Sequence, residues 1–383
     1  MALTVQWIVV HAIVPRGTLT PGWEALLAGL AIFGSAALLS WAAELAQLEI
    51  SQALALAFLA LVAVLPEYAV DMYLAWKAAK EPAYTAYAAA NMTGSNRLLI
   101  GLGWPTVLLA YWARTRAKVI DIQPAQRLEI ATLLLATCYA FVIPLKRTFS
   151  ILDTVFFLTL FVFYIRGASK GTVEEPGLAG PPERLAYLPR AMRRAVTVAL
   201  FLLPAYAIFI AAEPFANGLL KSARHLGIEE FILIQWLAPL ASESPEFIVA
   251  VIFALRNKPT TGLGTLISSK VNQWTLLIGM LPLVYSISGG HLQPLMLDIR
   301  QTEEMFLTAA QSLLALVVLS NLRFGLGEAF LLLTLFLLQF PFPTPKVRIL
   351  LAASYVLVAA AYLGSRSARQ SIVELFRDGA RSS

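Results

Sequence analysis

Charge is what this chain has least of. Asp, Glu, Lys and Arg make up only 14% of its 383 residues, whereas 58% are apolar. Water-soluble domains carry about a quarter charged residues, so this chain cannot coat two ordinary domains with a polar surface. Its solvent is mainly lipid, and a soluble enzyme, a nucleic-acid binder and a disordered protein are all excluded. Cysteine is nearly absent. The single Cys138 lies in an apolar run and forms no intrachain disulfide. His11, His225 and His291 are the three histidines, and they have no metal-ligand spacing. A phosphate-cradling loop is also missing, because Gly262-Leu-Gly264 reads as helix packing. ATP-driven pumping is therefore unsupported, no cofactor is implied, and the chain reads as a non-enzyme.

What the chain has is apolar blocks of about 20 residues, enough to cross roughly 30 Å of hydrocarbon as helices. Eleven spans are expected, near 23–46, 51–79, 83–112, 126–145, 149–168, 194–222, 227–256, 260–287, 303–321, 325–341 and 346–364. The apolar stretch Val5–Val14 is too short to span and lacks a basic leader, which predicts that residues 1–22 are an interfacial segment. The Gly- and Pro-rich stretch 169–193 is the midpoint linker, and 365–383 is a basic tail. The net charge of +6 sits mainly in alternate loops. Its distribution places the linker and the C-terminus in the cytoplasm and the N-terminus outside. Trp23, Trp104, Tyr164 and Tyr187 are expected as interface anchors.

The chain also repeats itself. Leu65-Pro66-Glu67 lies in the second span and Ser244-Pro245-Glu246 in the seventh. Each motif leads through a basic turn into a span with a polar cluster, Asn91-Met-Thr-Gly-Ser-Asn96 or Thr265-Leu-Ile-Ser-Ser-Lys270. Each cluster runs on into Leu-Leu-Ile-Gly. Five spans separate the copies, so they cross the membrane in opposite directions. Inverted repeats of this kind place a binding site near the midplane of secondary transporters.

The residue types point to cation chemistry. Carboxylates inside spans cost several kcal/mol and are usually functional. Pro66 and Pro245 lack an N–H, which frees the carbonyls of Val62 and Ala241 beside Glu67 and Glu246. Hard cations such as Ca²⁺ take six to eight oxygen ligands. Amide and hydroxyl oxygens of Asn91, Ser95, Asn96, Thr261, Thr265 and Ser269 are candidates to complete the shell. Asp71, four residues from Glu67, either extends the ion path or pairs with Arg97.

The Pro66-Glu67 motif with Asn91-x-x-Gly94-Ser95-Asn96, paired with Ser242-x-x-Pro245-Glu246 and its cluster, resembles the sodium/calcium exchanger membrane region. That family belongs to the cation/Ca²⁺ antiporter superfamily. The motifs cover about 60–105 and 238–283 as α-repeats, and the span spacing extends the match over about 20–341. The resemblance implies an all-α polytopic membrane protein with two inverted five-helix halves, 23–168 and 194–341. These form a ten-helix core, and the span 346–364 is additional. It implies alternating-access exchange of Ca²⁺ or a similar divalent ion for Na⁺ or H⁺ in the plasma (inner) membrane of a prokaryote. Glu67 and Glu246 would be the metal ligands, and the first and sixth spans would slide past a rigid core. Lipid and inorganic cations are the expected partners, with no nucleic acid and no obligatory protein partner.

The chain also departs from the family pattern. Val62, Ala63 and Val64 stand where the family usually has Gly-Thr-Ser, so two hydroxyls are lost, and Tyr87 replaces a small polar residue. Glu243 stands in place of a serine beside Ser242, and Lys270 ends a cluster that usually ends in Asn. Lys270 reads either as a tethered, titratable cation near Glu243 and Glu246 or as a fixed ion-pair partner. Two other functions stay open at this point: Na⁺/H⁺ exchange without a divalent ion, and a non-transporting structural or sensing protein.

Overall fold

The computed structural model describes residues 1–15, 17–46, 48, 65–168 and 180–382. Val62, Ala63 and Val64 therefore lie outside the described residues, as does most of the linker. The chain forms two compact units, one of Met1–Leu74 with Ser169–Pro245 and one of Ala75–Ala168 with Glu246–Ser383. Among the described residues, seven helices are long and apolar enough to cross a membrane.

The first unit is built on two long helices, the first span Pro21–Ala46 and the sixth span Arg190–Leu226. The sixth has 37 residues, about 55 Å of helix, well beyond the expected 194–222. Association in lipid gains little from hydrophobicity and relies on close approach at small residues. Gly29 lies under the Phe215 ring, and a Cβ on Gly218 would come within 2.8 Å of the Ala25 backbone nitrogen. Leu38, Ala42 and Leu45 pack with Leu200, and Leu39 packs with Ile208 against Leu65 and Ala69 of the second span. The N-terminal helix Ala2–Ile13 joins this pair. Its Trp7 indole donates to the Ile210 carbonyl at 3.3 Å, and Ser35 donates to Thr4 at 3.3 Å.

The second unit centres on the ninth span, Ile299–Leu319, whose residues are mostly buried. Its start is fixed by a reciprocal cap. The Asp298 carboxylate accepts the Gln301 N–H at 2.7 Å, and the Asp298 N–H donates to Gln301 Oε1 at 3.2 Å. Around it pack the fourth span (Arg127–Ala140 with Val142–Lys146), the third, and the eleventh (Pro345–Leu363). The fourth span breaks at Phe141 because Pro144 has no N–H for the Ala140 carbonyl.

The third span runs Ala83–Leu98, Leu99–Gly103 and Trp104–Thr115, with the middle stretch π-helical. The eighth repeats this as Pro259–Asn272, Gln273–Leu277 and Ile278–Gly289. The all-α expectation is otherwise met, with short antiparallel ribbons added between loops. Val119–Asp121 pairs with Arg323–Gly325, and Thr148–Phe149 with Leu295–Met296.

Two expected interface anchors are interior. Trp104 is fully buried and Tyr164 nearly so, whereas Trp23 and Tyr187 are exposed. An aromatic near a span end anchors at the interface only when its helix face is outward. The tail also differs from a plain basic extension, because Arg366–Ser382 is a helix that packs on the fourth span. Ala368, Ser371, Ile372 and Leu375 form its covered face.

Candidate ion-exchange site

The first unit carries Glu67, Asp71, Ser242 and Glu243, all buried. Glu67 and Asp71 stand one turn apart on Leu65–Ala78. Helical spacing puts them on one face. Ser242, Glu243 and Pro245 lie in the unbroken seventh span Glu230–Leu255, which contains Pro239 and Pro245. Pro245 can offer no N–H to Ala241, so this carbonyl is an oxygen available inside the span. The Ser242 hydroxyl turns back to the Ala238 and Pro239 carbonyls at 3.3 and 3.2 Å.

The second unit carries Glu246 and both polar clusters. Backbone-to-backbone packing brings the seventh and eighth spans together, since a Cβ on Gly262 would stand 2.4 Å from the Ala250 carbonyl oxygen. Phe247 of the seventh span covers Gly103 of the third. Ser269 is buried with its hydroxyl unpartnered and lies beside Glu246, whose Oε2 is also buried without a hydrogen bond. A carboxylate oxygen and a hydroxyl oxygen left unpaired in the interior are costly and suit an arriving cation or proton. Among the described residues no three His, Cys, Asp or Glu side chains gather as a metal-holding group. A cation would therefore meet carboxylate together with amide, hydroxyl and carbonyl oxygens.

In the first cluster Asn91, Ser95 and Asn96 are buried. Ser95 donates to the Asn91 carbonyl at 2.9 Å and Asn96 to the Met92 carbonyl at 2.9 Å, which leaves the side-chain oxygens as acceptors. Thr265 donates to the Thr261 carbonyl at 3.0 Å, and Thr261 is exposed. Thr261 thus stands apart from the buried set.

Lys270 is fully buried. Its ammonium donates to Asn96 Oδ1 at 2.6 Å and to the Asn96 carbonyl at 3.4 Å, and it stands 4.3 Å from the centre of the Trp274 ring. Asn96 and Lys270 are 174 residues apart. The same offset relates Asn91 to Thr265 and Leu99–Gly103 to Gln273–Leu277. The two clusters therefore meet at equivalent positions, as a two-fold relation between repeats requires. Both π-helical stretches follow directly, a widening common beside functional sites.

Sequence reasoning missed the charges that hold this region. Arg97 pairs with Glu304 at 2.5 Å and with Gln339 Oε1 at 2.9 Å, so its carboxylate comes from the ninth span. Arg348 of the eleventh span joins Glu303 at 2.8 Å and approaches Glu304 at 3.8 Å. No local motif marks these partners, because each ion pair joins distant spans.

The sodium/calcium exchanger protein family profile matches residues 21–169 and 196–342. Among solved structures, the H⁺/Ca²⁺ exchanger CAX is 44% identical with a TM-score of 0.95, over 100% of this chain and 96% of that one. The sodium-calcium exchanger NCX_Mj is 21% identical with a TM-score of 0.56, over 84% of this chain and 98% of that one. Native YfkE is 15% identical with a TM-score of 0.62, over 93% and 99%. The last two show a shared fold. No curated protein matches the sequence.

Proposed function

The chain belongs to the sodium/calcium exchanger family of integral membrane proteins, and from that premise we propose that it exchanges Ca²⁺ for H⁺ by alternating access. The coupling ion is taken from the similarity that covers the whole chain, 44% identity to a protein described as an H⁺/Ca²⁺ exchanger. The observation that carries the reading in this chain is the inverted pair of motifs. Each supplies one Pro-Glu carboxylate and one polar cluster, and the clusters meet at Asn96 and Lys270.

Glu67 and Glu246 are the carboxylates that meet the cation, with Asn91, Ser95, Asn96, Ser242, Thr265 and Ser269 as neutral oxygen donors. The carbonyl freed at Ala241 contributes likewise, Asp71 and Glu243 border the path, and Thr261 lies at its outer end. One Ca²⁺ or two protons neutralise two carboxylates equally. Either load lets the site change sides, whereas the bare charged site carries an interior electrostatic penalty. Because metal and protons compete for the same oxygens, binding one releases the other. Valine and alanine before the first Pro-Glu pair remove hydroxyl ligands that a Na⁺ ion would use, which favours the proton. The host membrane is the plasma membrane of a prokaryote, with the midpoint linker inside.

The test is radiolabelled Ca²⁺ uptake into proteoliposomes under an imposed pH gradient, then under a Na⁺ gradient. Proton-driven uptake is expected, lost in Glu67→Gln and in Glu246→Gln. Uptake driven by Na⁺ alone would overturn the coupling, and unchanged uptake in both variants would overturn the site.

A further inference from the structure

A carboxylate with a buried, unpartnered oxygen also lies outside the exchange machinery. Glu129, on the first turn of the fourth span, is enclosed by groups from the fifth and eighth spans. Ser268 donates to Glu129 Oε1 at 2.6 Å, and the Tyr164 hydroxyl donates to the same oxygen at 3.1 Å. Gln126 approaches the same carboxyl from one turn earlier. Its side chain lies over bare Gly264, where a Cβ would stand 2.3 Å from Gln126 Nε2. Leu128 against Gly167, and the Trp274 indole on the Thr137 hydroxyl at 3.1 Å, clamp the three spans together.

All the hydrogen bonding falls on one oxygen. Glu129 Oε2 is buried and takes no hydrogen bond, and Gln126 Oε1 is buried in the same condition. Gln126 itself is only 8% exposed. A carboxylate oxygen left bare in the interior costs several kcal/mol, and such a group neutralises instead. A hard cation needs about six oxygens, but both hydroxyls here are committed to Oε1 and only two bare oxygens remain. A proton needs one.

Among the described residues this carboxyl forms no ion pair. The fifth span presents Tyr164 and the eighth presents Ser268. Arg127 and Arg166 stand two residues from Glu129 and Tyr164 on their helices, which turns them to other faces. Lys270 turns to Asn96, while Glu303 and Glu304 of the ninth span are tied to Arg348 and Arg97. The C-terminal helix covers the fourth span with Ala368, Ser371, Ile372 and Leu375, none of them charged.

We propose that Glu129 is a second proton-binding site, which holds a proton on Oε2 outside the exchange pocket and makes transport sensitive to pH through the eighth span. The link is short. Ser268 holds Glu129, and the next residue, Ser269, lies beside Glu246. A shift of the eighth span on cation binding alters the Ser268 bond and with it the hold on the proton. The coupling part rests on the antiporter reading, but the site itself does not.

The experiment uses full-length protein in lipid, with carboxyl groups followed by infrared difference spectroscopy across a pH titration and Ca²⁺ uptake measured over the same range. Glu129→Gln keeps the shape and removes the proton. It should lose one titrating carboxyl band and displace the pH of half-maximal uptake by about one unit. Ser268→Ala removes a donor to the carboxylate and should move the same band to higher pH, which serves should Glu129→Gln fail to fold. An unchanged set of bands in both variants overturns the proton site. A lost band with an unmoved uptake profile overturns the coupling. If the parent protein moves no Ca²⁺, the antiporter reading falls while the infrared result still decides the site.

Discussion

At the scale of single residues, Lys270 departs most from the motif it sits in. Removing a buried charge disturbs the groups it holds, and the Lys270 ammonium holds an asparagine oxygen and lies over an indole face. Lys270→Asn restores the residue that the first repeat carries at the same position. It also removes a cation that opposes protons entering the site. Ca²⁺ uptake in that variant should move to higher pH by about one unit, read as a pH profile in proteoliposomes. A profile identical to the parent's would leave Lys270 as a packing and hydrogen-bonding residue. The two glutamates, the two prolines and the polar clusters were legible because they recur at fixed spacing in otherwise apolar sequence. Glu304, Glu303 and Arg348 were not. Their meaning depends on which spans are neighbours, and a lone charge near a span end looks like a boundary marker. Trp104 and Tyr164 were misread for the same reason, since span-end position does not say which face is inward.

At the scale of elements, most described helix ends fall within a few residues of the ends expected from apolar length, whereas seven of the described helices are by themselves long and apolar enough to cross a membrane. The π-helical stretches were invisible, because nothing in Leu99–Gly103 or Gln273–Leu277 differs in composition from ordinary spanning helix. Their effect is visible in how the third span meets the tenth. A Cβ on Gly101 would stand 2.2 Å from Phe336 Cγ, and two further Phe336 atoms lie at 2.4 and 2.5 Å. Those atoms are the root of the ring and cannot swing aside cheaply. Gly101→Ala should therefore destabilise the protein by about 1–3 kcal/mol, the usual cost of overpacking. A thermal unfolding shift in detergent measures it. Pairing it with Phe336→Leu, which opens the space, should recover most of the loss. No shift in the single variant would mean that the tenth span moves away freely.

At the scale of the whole molecule, function depends on parity. Repeats carried in opposite senses need an odd number of spans between corresponding points, and the eleven spans expected from the sequence would put the two termini on opposite sides of the membrane. The charge distribution proposes the sense, which would put the basic loops, the linker and the C-terminal arginines inside. The C-terminal helix is amphipathic, with Arg366, Arg369 and Arg377 outside its covered face, a composition suited to an anionic cytoplasmic surface. Cys138 is the only cysteine, so Cys138→Ala gives a clean background for labelling. In that background Ala2→Cys should react with an impermeant maleimide added outside intact cells. Ser367→Cys, exposed near the start of the C-terminal helix, should react only after the membrane is opened. Labelling of both from one side would make the span number even. An even number is what the ten-helix core alone provides, so the inverted repeats would stand and the segment 346–364 would not cross the membrane. Opposite-side labelling in the reversed sense would keep the repeat but exchange the faces at which Ca²⁺ is collected and released.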